Sequence, residues 1–271
     1  MTDIRQDVEL LLREHASQTG TDDYVIDAIL KRLKPSVRLV PTLDPTTSGG
    51  SHIGGTPDVA SPFAWPRSER GIPLAFLMQA NYAEINTCDI ERRLPSAGLL
   101  YVFFEWDDDV PVLEEEHSLL FDEQYSQLVS QEFPSDMNDE ARFKKFSLKP
   151  HLEWTIPLPD EIGLGEFYQN DLDLLEFWDQ APEMLEDFQG LGPFWKSKHR
   201  FLGNPDFIQS PGLADGSLLF LQMDSDPPLG SDNDLRTGMM WGDGGTIYWI
   251  SDEATLLKKD VLSYRPFWEC S

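Results

Sequence analysis

A chain of 271 residues, 40% hydrophobic and 25% charged, holds enough apolar material for a substantial core, and no run reaches the ~20 apolar residues that cross a bilayer. Its net charge of −27 argues against direct nucleic-acid binding, because phosphates must be met by Lys and Arg. Cys88 and Cys270 are too few for a disulfide framework, and Met1 to Asp7 lacks the basic-then-apolar order of a secretory signal, so a cytoplasmic protein with reduced thiols is expected.

Ile4, Val8, Leu11, Leu12 and Ala16 form one stripe and predict a helix over 4–16. A second helix follows, capped by Asp22 or Asp23, with Val25, Ile26, Ile29, Leu30 and Leu33 inward and Pro35 as its stop. Val37 to Val40 alternates like a short strand. Residues 44–73 are rich in Gly and Pro and read as loop. Leu74 to Gln79 and Leu99 to Glu105 are short apolar runs with strand preference. The acidic stretch 105–145 reads as irregular helix and loop, and His151 to Leu158 as a strand. Leu172, Leu175 and Trp178 have helical spacing that Pro182 interrupts. Leu218 to Gln222, Thr246 to Ile250 and Asp260 to Cys270 are the remaining predicted strands.

Three features recur in the same order. Gly55-Thr56-Pro57-Asp58 returns as Gly203-Asn204-Pro205-Asp206, Phe76-Leu77-Met78-Gln79 as Phe220-Leu221-Gln222, and Gly98-Leu99-Leu100-Tyr101 as Gly245-Thr246-Ile247-Tyr248. The offset stays between 143 and 148 residues, which points to an internal duplication. The expected fold is mainly β with α, an α+β roll of two β-rich repeats about a pseudo-two-fold axis. It reads as one compact domain: N-terminal helices over 1–35, repeat one over 36–105, an acidic insert over 106–195 and repeat two over 196–271.

The insert carries most of the charge. Residues 105–195 hold 24 acids and 4 bases, whereas 1–104 hold 13 and 10 and 196–271 hold 11 and 7. The runs Asp107-Asp108-Asp109 and Glu114-Glu115-Glu116 resist burial, so they form either a solvated face or a docking surface for a basic protein.

Several motifs resemble the YwqG-like family, a bacterial domain of unknown function. They are Gly54-Gly55-Thr56-Pro57, Trp65-Pro66, Pro73 to Gln79 and Leu94 to Leu100, then His199 to Pro205, Leu219 to Asp226 and Met240 to Gly245. The resemblance spans about 36–271. It implies a duplicated, mainly β roll, supplies no catalytic residues, and carries an association with toxin loci that implies an immunity role. It also leads one to expect a basic residue where His52 stands.

His52 with Asp58, and His199 with Asp206, pair an imidazole with a carboxylate near mobile-type turns, as acid/base or metal chemistry requires. Asp224 and Asp243 add oxygen ligands, and Gln79 and Gln222 end matching strands. Alternatively both turn aspartates bond their own turn backbone, and the two amides satisfy one another's strands at the repeat interface. No His-x-x-x-His, Cys-x-x-Cys, phosphate-loop or Gly-x-Ser-x-Gly pattern occurs, so no metal or cofactor is expected. The leading expectation is a non-enzymatic protein-binding module, an immunity protein against a basic toxin. The alternative is a small-molecule or metal-dependent enzyme in a cleft between the repeats. Oligomeric state is open.

Overall fold

The computed structural model describes residues 4–106, 117–123, 125–165, 170–191, 197–210, 212–226, 235–258, 260 and 263–270. The runs Asp107 to Asp109 and Glu114 to Glu116 lie outside the described residues.

Two helices open the chain, α1 (Ile4–Thr19) and α2 (Asp23–Lys31). Strands β1 (Lys34–Thr42), β2 (His52–Ile53), β3 (Asp58–Val59) and β4 (Ala75–Asn81) follow, then the single turn α3 (Tyr82–Ile85). Next come β5 (Leu99–Phe104), β6 (His117–Asp122), β7 (Val129–Ser130) and β8 (Phe146–Thr155). Helix α4 (Leu172–Phe188) precedes β9 (Arg200–Leu202), β10 (Ser217–Asp224) and β11 (Thr246–Asp252); α5 (Glu253–Lys258) and β12 (Arg265–Glu269) end the described chain.

Four sequence expectations are corrected. The acidic 105–145 stretch contributes β6, because Leu119 and its neighbours complete the β5 ladder. Pro35 does not stop α2, which ends at Lys31; it stands inside β1 opposite Trp154. The 44–73 segment includes the short strands β2 and β3. Pro182 does not break its helix: α4 runs through it, burying Leu174, Phe177, Trp178, Ala181 and Leu185. That apolar face packs with Val8 and Leu12 of α1, which offsets the lost backbone bond.

Ten strands form one antiparallel sheet in the order β12-β11-β10-β9-β1-β8-β2-β4-β5-β6. The order reads the same from either end when β1 is matched with β8, β2 with β9, β4 with β10, β5 with β11 and β6 with β12. The first strand of each half crosses to the other, so β1 pairs with β9 and β8 with β2. Bulges fall at matching places, between Phe76 and Met78 in β4 and between Leu219 and Leu221 in β10.

Pro150 sits mid-strand in β8, opposite Leu39. Leu39 N–H donates to His199 O at 2.8 Å, toward β9, so the Leu39–Pro150 pair is of the non-hydrogen-bonded kind. The missing N–H therefore costs the β1–β8 ladder nothing.

The sheet is rolled. β5 and β11 stand seven places apart in strand order, about 34 Å if flat. Yet the Phe104 and Trp249 rings lie 6.3 Å apart, and Tyr82 meets Phe201 at 6.0 Å. The concave face thus encloses one shared apolar core, with Val37, Leu39, Ile53, Val102, Phe201, Leu221 and Trp241 among its members. Its other face holds a second cluster around Phe76, Tyr101 and Phe103.

Candidate functional site

Each Gly-x-Pro-Asp turn leaves a short strand through two residues in the left-handed region: Gly54 and Gly55 (φ +64° and +70°), Leu202 and Gly203 (φ +62° and +82°). A side chain at Gly54 would place Cβ 2.1 Å from Lys144 O, which explains glycine there. The buried Leu202 takes the strained conformation instead.

Both turns are then held by the same two bonds. Asp58 N–H donates to Gln79 Oε1 at 2.8 Å, and Asp206 N–H to Gln222 Oε1 at 3.1 Å. Tyr101 OH donates to Asp58 O at 2.9 Å, and Tyr248 OH to Asp206 O at 2.6 Å. Burial pushes both phenols up, so they stay protonated donors. Each glutamine thus ties its strand to the turn of its own half rather than across the interface between halves. Gln79 Nε2 also donates to Gly50 O at 2.9 Å.

The side chains around these turns differ. In the first half His52 stands opposite Gln79; in the second, Arg200 rather than His199 stands opposite Gln222. The basic residue expected at His52 is therefore present only in the second half. His52 Nδ1 lies 3.1 Å from Gly50 O and Nε2 3.2 Å from Thr56 O. Burial, then Lys145, lowers its pKa to about 4, so the neutral ring donates to only one of these carbonyls. Asp58 accepts from Gly49 N at 3.0 Å, with Lys145 Nζ at 3.7 Å.

His199 is buried, and burial followed by Arg38 lowers its pKa to about 3. Its Nδ1 accepts from Asp224 N at 3.1 Å, which places the ring proton on Nε2. Asp224 accepts from Thr246 Oγ1 at 2.6 Å and Lys198 N at 3.0 Å; burial raises its pKa. Asp243 is exposed in the turn that follows Trp241.

Asp206 belongs to a closed ring of alternating charge. Arg38 Nη1 meets Glu153 at 3.1 Å, Glu153 meets Arg200 Nε at 3.4 Å, and Arg200 Nη2 meets Asp206 at 2.5 Å. Asp206 meets Lys198 Nζ at 3.5 Å, Lys198 meets Glu186 at 3.4 Å, and Glu186 returns to Arg38 at 3.6 Å. Burial works to raise the Asp206 carboxyl, but Arg200, Lys198 and Arg38 outweigh it and hold the group well below the usual range. The ring joins β1, β8, β9 and α4 and borders a cavity of about 40 Å³, room for a few waters.

The sequence expectation, one cleft between the repeats, put together residues that the structure divides between the first turn (His52, Asp58 and Gln79) and the second (His199, Asp206, Gln222 and Asp224). It missed Arg38, Glu153, Glu186, Lys198 and Arg200. The available signal was a charge inside an apolar strand: Arg38 among Val37, Leu39 and Val40, and Arg200 beside Phe201 and Leu202. Among the described residues no group of three or more His, Cys, Asp or Glu is placed to hold a metal ion. No helix among them is long and apolar enough to cross a membrane.

A family model described as a domain of unknown function, DUF1963, matches residues 51–270. The chain belongs to that family. The DUF1963 match spans both turns and the insert between them but begins after β1, so it contains five members of the charge ring and not Arg38. The description of DUF1963 assigns no activity. No curated protein matches the chain.

Proposed function

We propose that this DUF1963 chain is a non-enzymatic protein-binding module whose acidic insert docks a basic protein. The observation that carries the reading is α4. Asp171 at its cap and Asp173, Glu176, Asp179, Glu183 and Asp187 along it are exposed, and the helix contains no Lys or Arg. A one-sign surface steers and holds a partner of opposite charge. Neutralisation of a basic toxin in the cytoplasm is the specific form of this reading, and the family resemblance supports it.

The candidate acid/base groups speak less for catalysis. His52 faces backbone carbonyls, His199 accepts a backbone N–H, and Asp206 is engaged by two cations. β2 and β9, which carry the two clusters, are separated by β1 and β8, about 14 Å across the sheet. We also read the halves as a duplication within a single domain. The matching strand order, bulges, glutamine bonds and tyrosine bonds support this.

Native mass spectrometry of the protein drawn gently from its own cells, before and after a salt wash, tests the function. A basic protein that salt removes, and that the Asp179→Asn/Glu183→Gln/Asp187→Asn variant does not retain, is the expected result. A bound metal or small molecule with no protein partner would overturn the reading.

A further inference from the structure

The two longest contacts of the charge ring, Glu186–Arg38 at 3.6 Å and Asp206–Lys198 at 3.5 Å, flank the pair that Glu186 makes with Lys198. Lys198 Nζ lies 3.4 Å from Glu186 and 3.5 Å from Asp206 but makes a hydrogen bond to neither. The Glu186 side chain is 14% exposed, and its ion-pair contacts among the described residues are this lysine and Arg38 at 3.6 Å, again without a hydrogen bond. A mostly buried acidic side chain commonly accepts charge-assisted hydrogen bonds from the protein. Glu186 has lone pairs to offer a better donor.

The fold itself does not call for Lys198. In the first half the equivalent turn is held by the same glutamine and tyrosine bonds, yet Gly50 stands where the second half has Lys198, two residues before His52 and Arg200 respectively. If Lys198 swings into solvent, three carboxylates (Glu153, Glu186 and Asp206) face two guanidinium groups (Arg38 and Arg200), and the seat becomes net negative. Lys198 is 26% and Asp206 37% exposed, so the exit is open. Trp154, Pro182 and Leu185 line the adjoining cavity and suit an aliphatic stem. Asp179 and Glu183 lead to Glu186 along the same side of α4.

We propose that Lys198 is an internal placeholder in a cation seat, and that a lysine or arginine side chain of the basic partner takes its position between Glu186 and Asp206. The proposal rests on the basic-partner reading above. It names where one anchoring residue of that partner inserts, against a background of diffuse attraction along α4.

Titration calorimetry with hexalysine tests it, comparing wild type, Lys198→Met and Lys149→Met, each shown to be folded by its melting curve. Lys149 is exposed and pairs with Asp44 away from the ring, so both variants change net charge equally. Vacating the seat should tighten binding by about fivefold or more beyond the effect of Lys149→Met. As a second readout, Glu186→Gln should weaken binding more than Glu176→Gln, which removes an exposed charge, bonded to Gln180, from the same helix. Equal affinities in both pairs would overturn the seat while leaving salt-sensitive wild-type binding, and hence the basic-partner reading, intact. Absence of salt-sensitive binding to wild type would overturn that reading and the seat with it.

Discussion

His52 and His199 look alike in sequence but are fixed by different backbone partners, and both are kept neutral by burial. Their folded-state values of about 4 and about 3 lie below the usual 6.5. As pH falls below about 6.5 the unfolded chain takes up protons that the native histidines refuse, so stability falls by about 1.4 kcal/mol per pH unit for each histidine. Asp206, held low, loses its contribution only at more acidic pH, and the raised Asp224 works against the trend. Urea unfolding at neutral and at about pH 5 should therefore show a loss in wild type that His199→Gln reduces. The glutamine amide keeps an acceptor for Asp224 N without a proton to gain. An equal loss in both proteins would show that His199 does not titrate this way. At the same scale, the glycine and aspartate of the repeated turns were readable, but their partners were not. The expectation that each aspartate bonds its own turn gave way to Gly49 and Lys145 for Asp58, and Arg200 and Lys198 for Asp206.

Helix α4 is the element where local chemistry and tertiary packing disagree most. Asp171 caps it by accepting from Asp173 N and Leu174 N, as its sequence invites. Pro182 argues for a stop three turns in, yet the helix continues because its apolar face has α1 to pack on. Restoring the backbone donor with Pro182→Ala should raise the stability by about 1–3 kcal/mol, seen as a higher melting midpoint. An unchanged or lower midpoint would mean that the proline ring's packing at the cavity is worth as much as the bond it removes. The strands show the opposite balance. Alternation and β-branched or aromatic content placed β4, β5, β10 and β11 within a residue or two. β8 begins at Phe146, five residues before the predicted start at His151, and its pairing with Leu39 shows why Pro150 is tolerated inside it.

For the whole molecule the exchange of first strands has a direct consequence. β1 finds both its neighbours, β8 and β9, in the other half of the chain, and β2 depends on β8. Fragments 1–140 and 141–271 should accordingly lack cooperative melting when separate and regain it on mixing, followed by far-ultraviolet circular dichroism. Independent cooperative melting of either fragment would refute the dependence. The rolled sheet adds to it, since Phe104 of one half and Trp249 of the other are neighbours only in the closed form.

The amino-acid sequence by itself determined the recurring motifs and their spacing, the family motifs, the strand-rich character and the concentration of acid in residues 105–195. All of these are properties of spacing, propensity and charge along the chain. Tertiary structure alone decided that β1 crosses to β9 and that the sheet rolls. It also joined Arg38, Glu153, Glu186, Lys198, Arg200 and Asp206 into one ring. The outermost of those residues, Arg38 and Asp206, lie 168 positions apart in the chain, and nothing local records that a charge in one apolar strand will meet its counter-charge on a distant helix. The desolvation of each ion is compensated only after the sheet has brought them together.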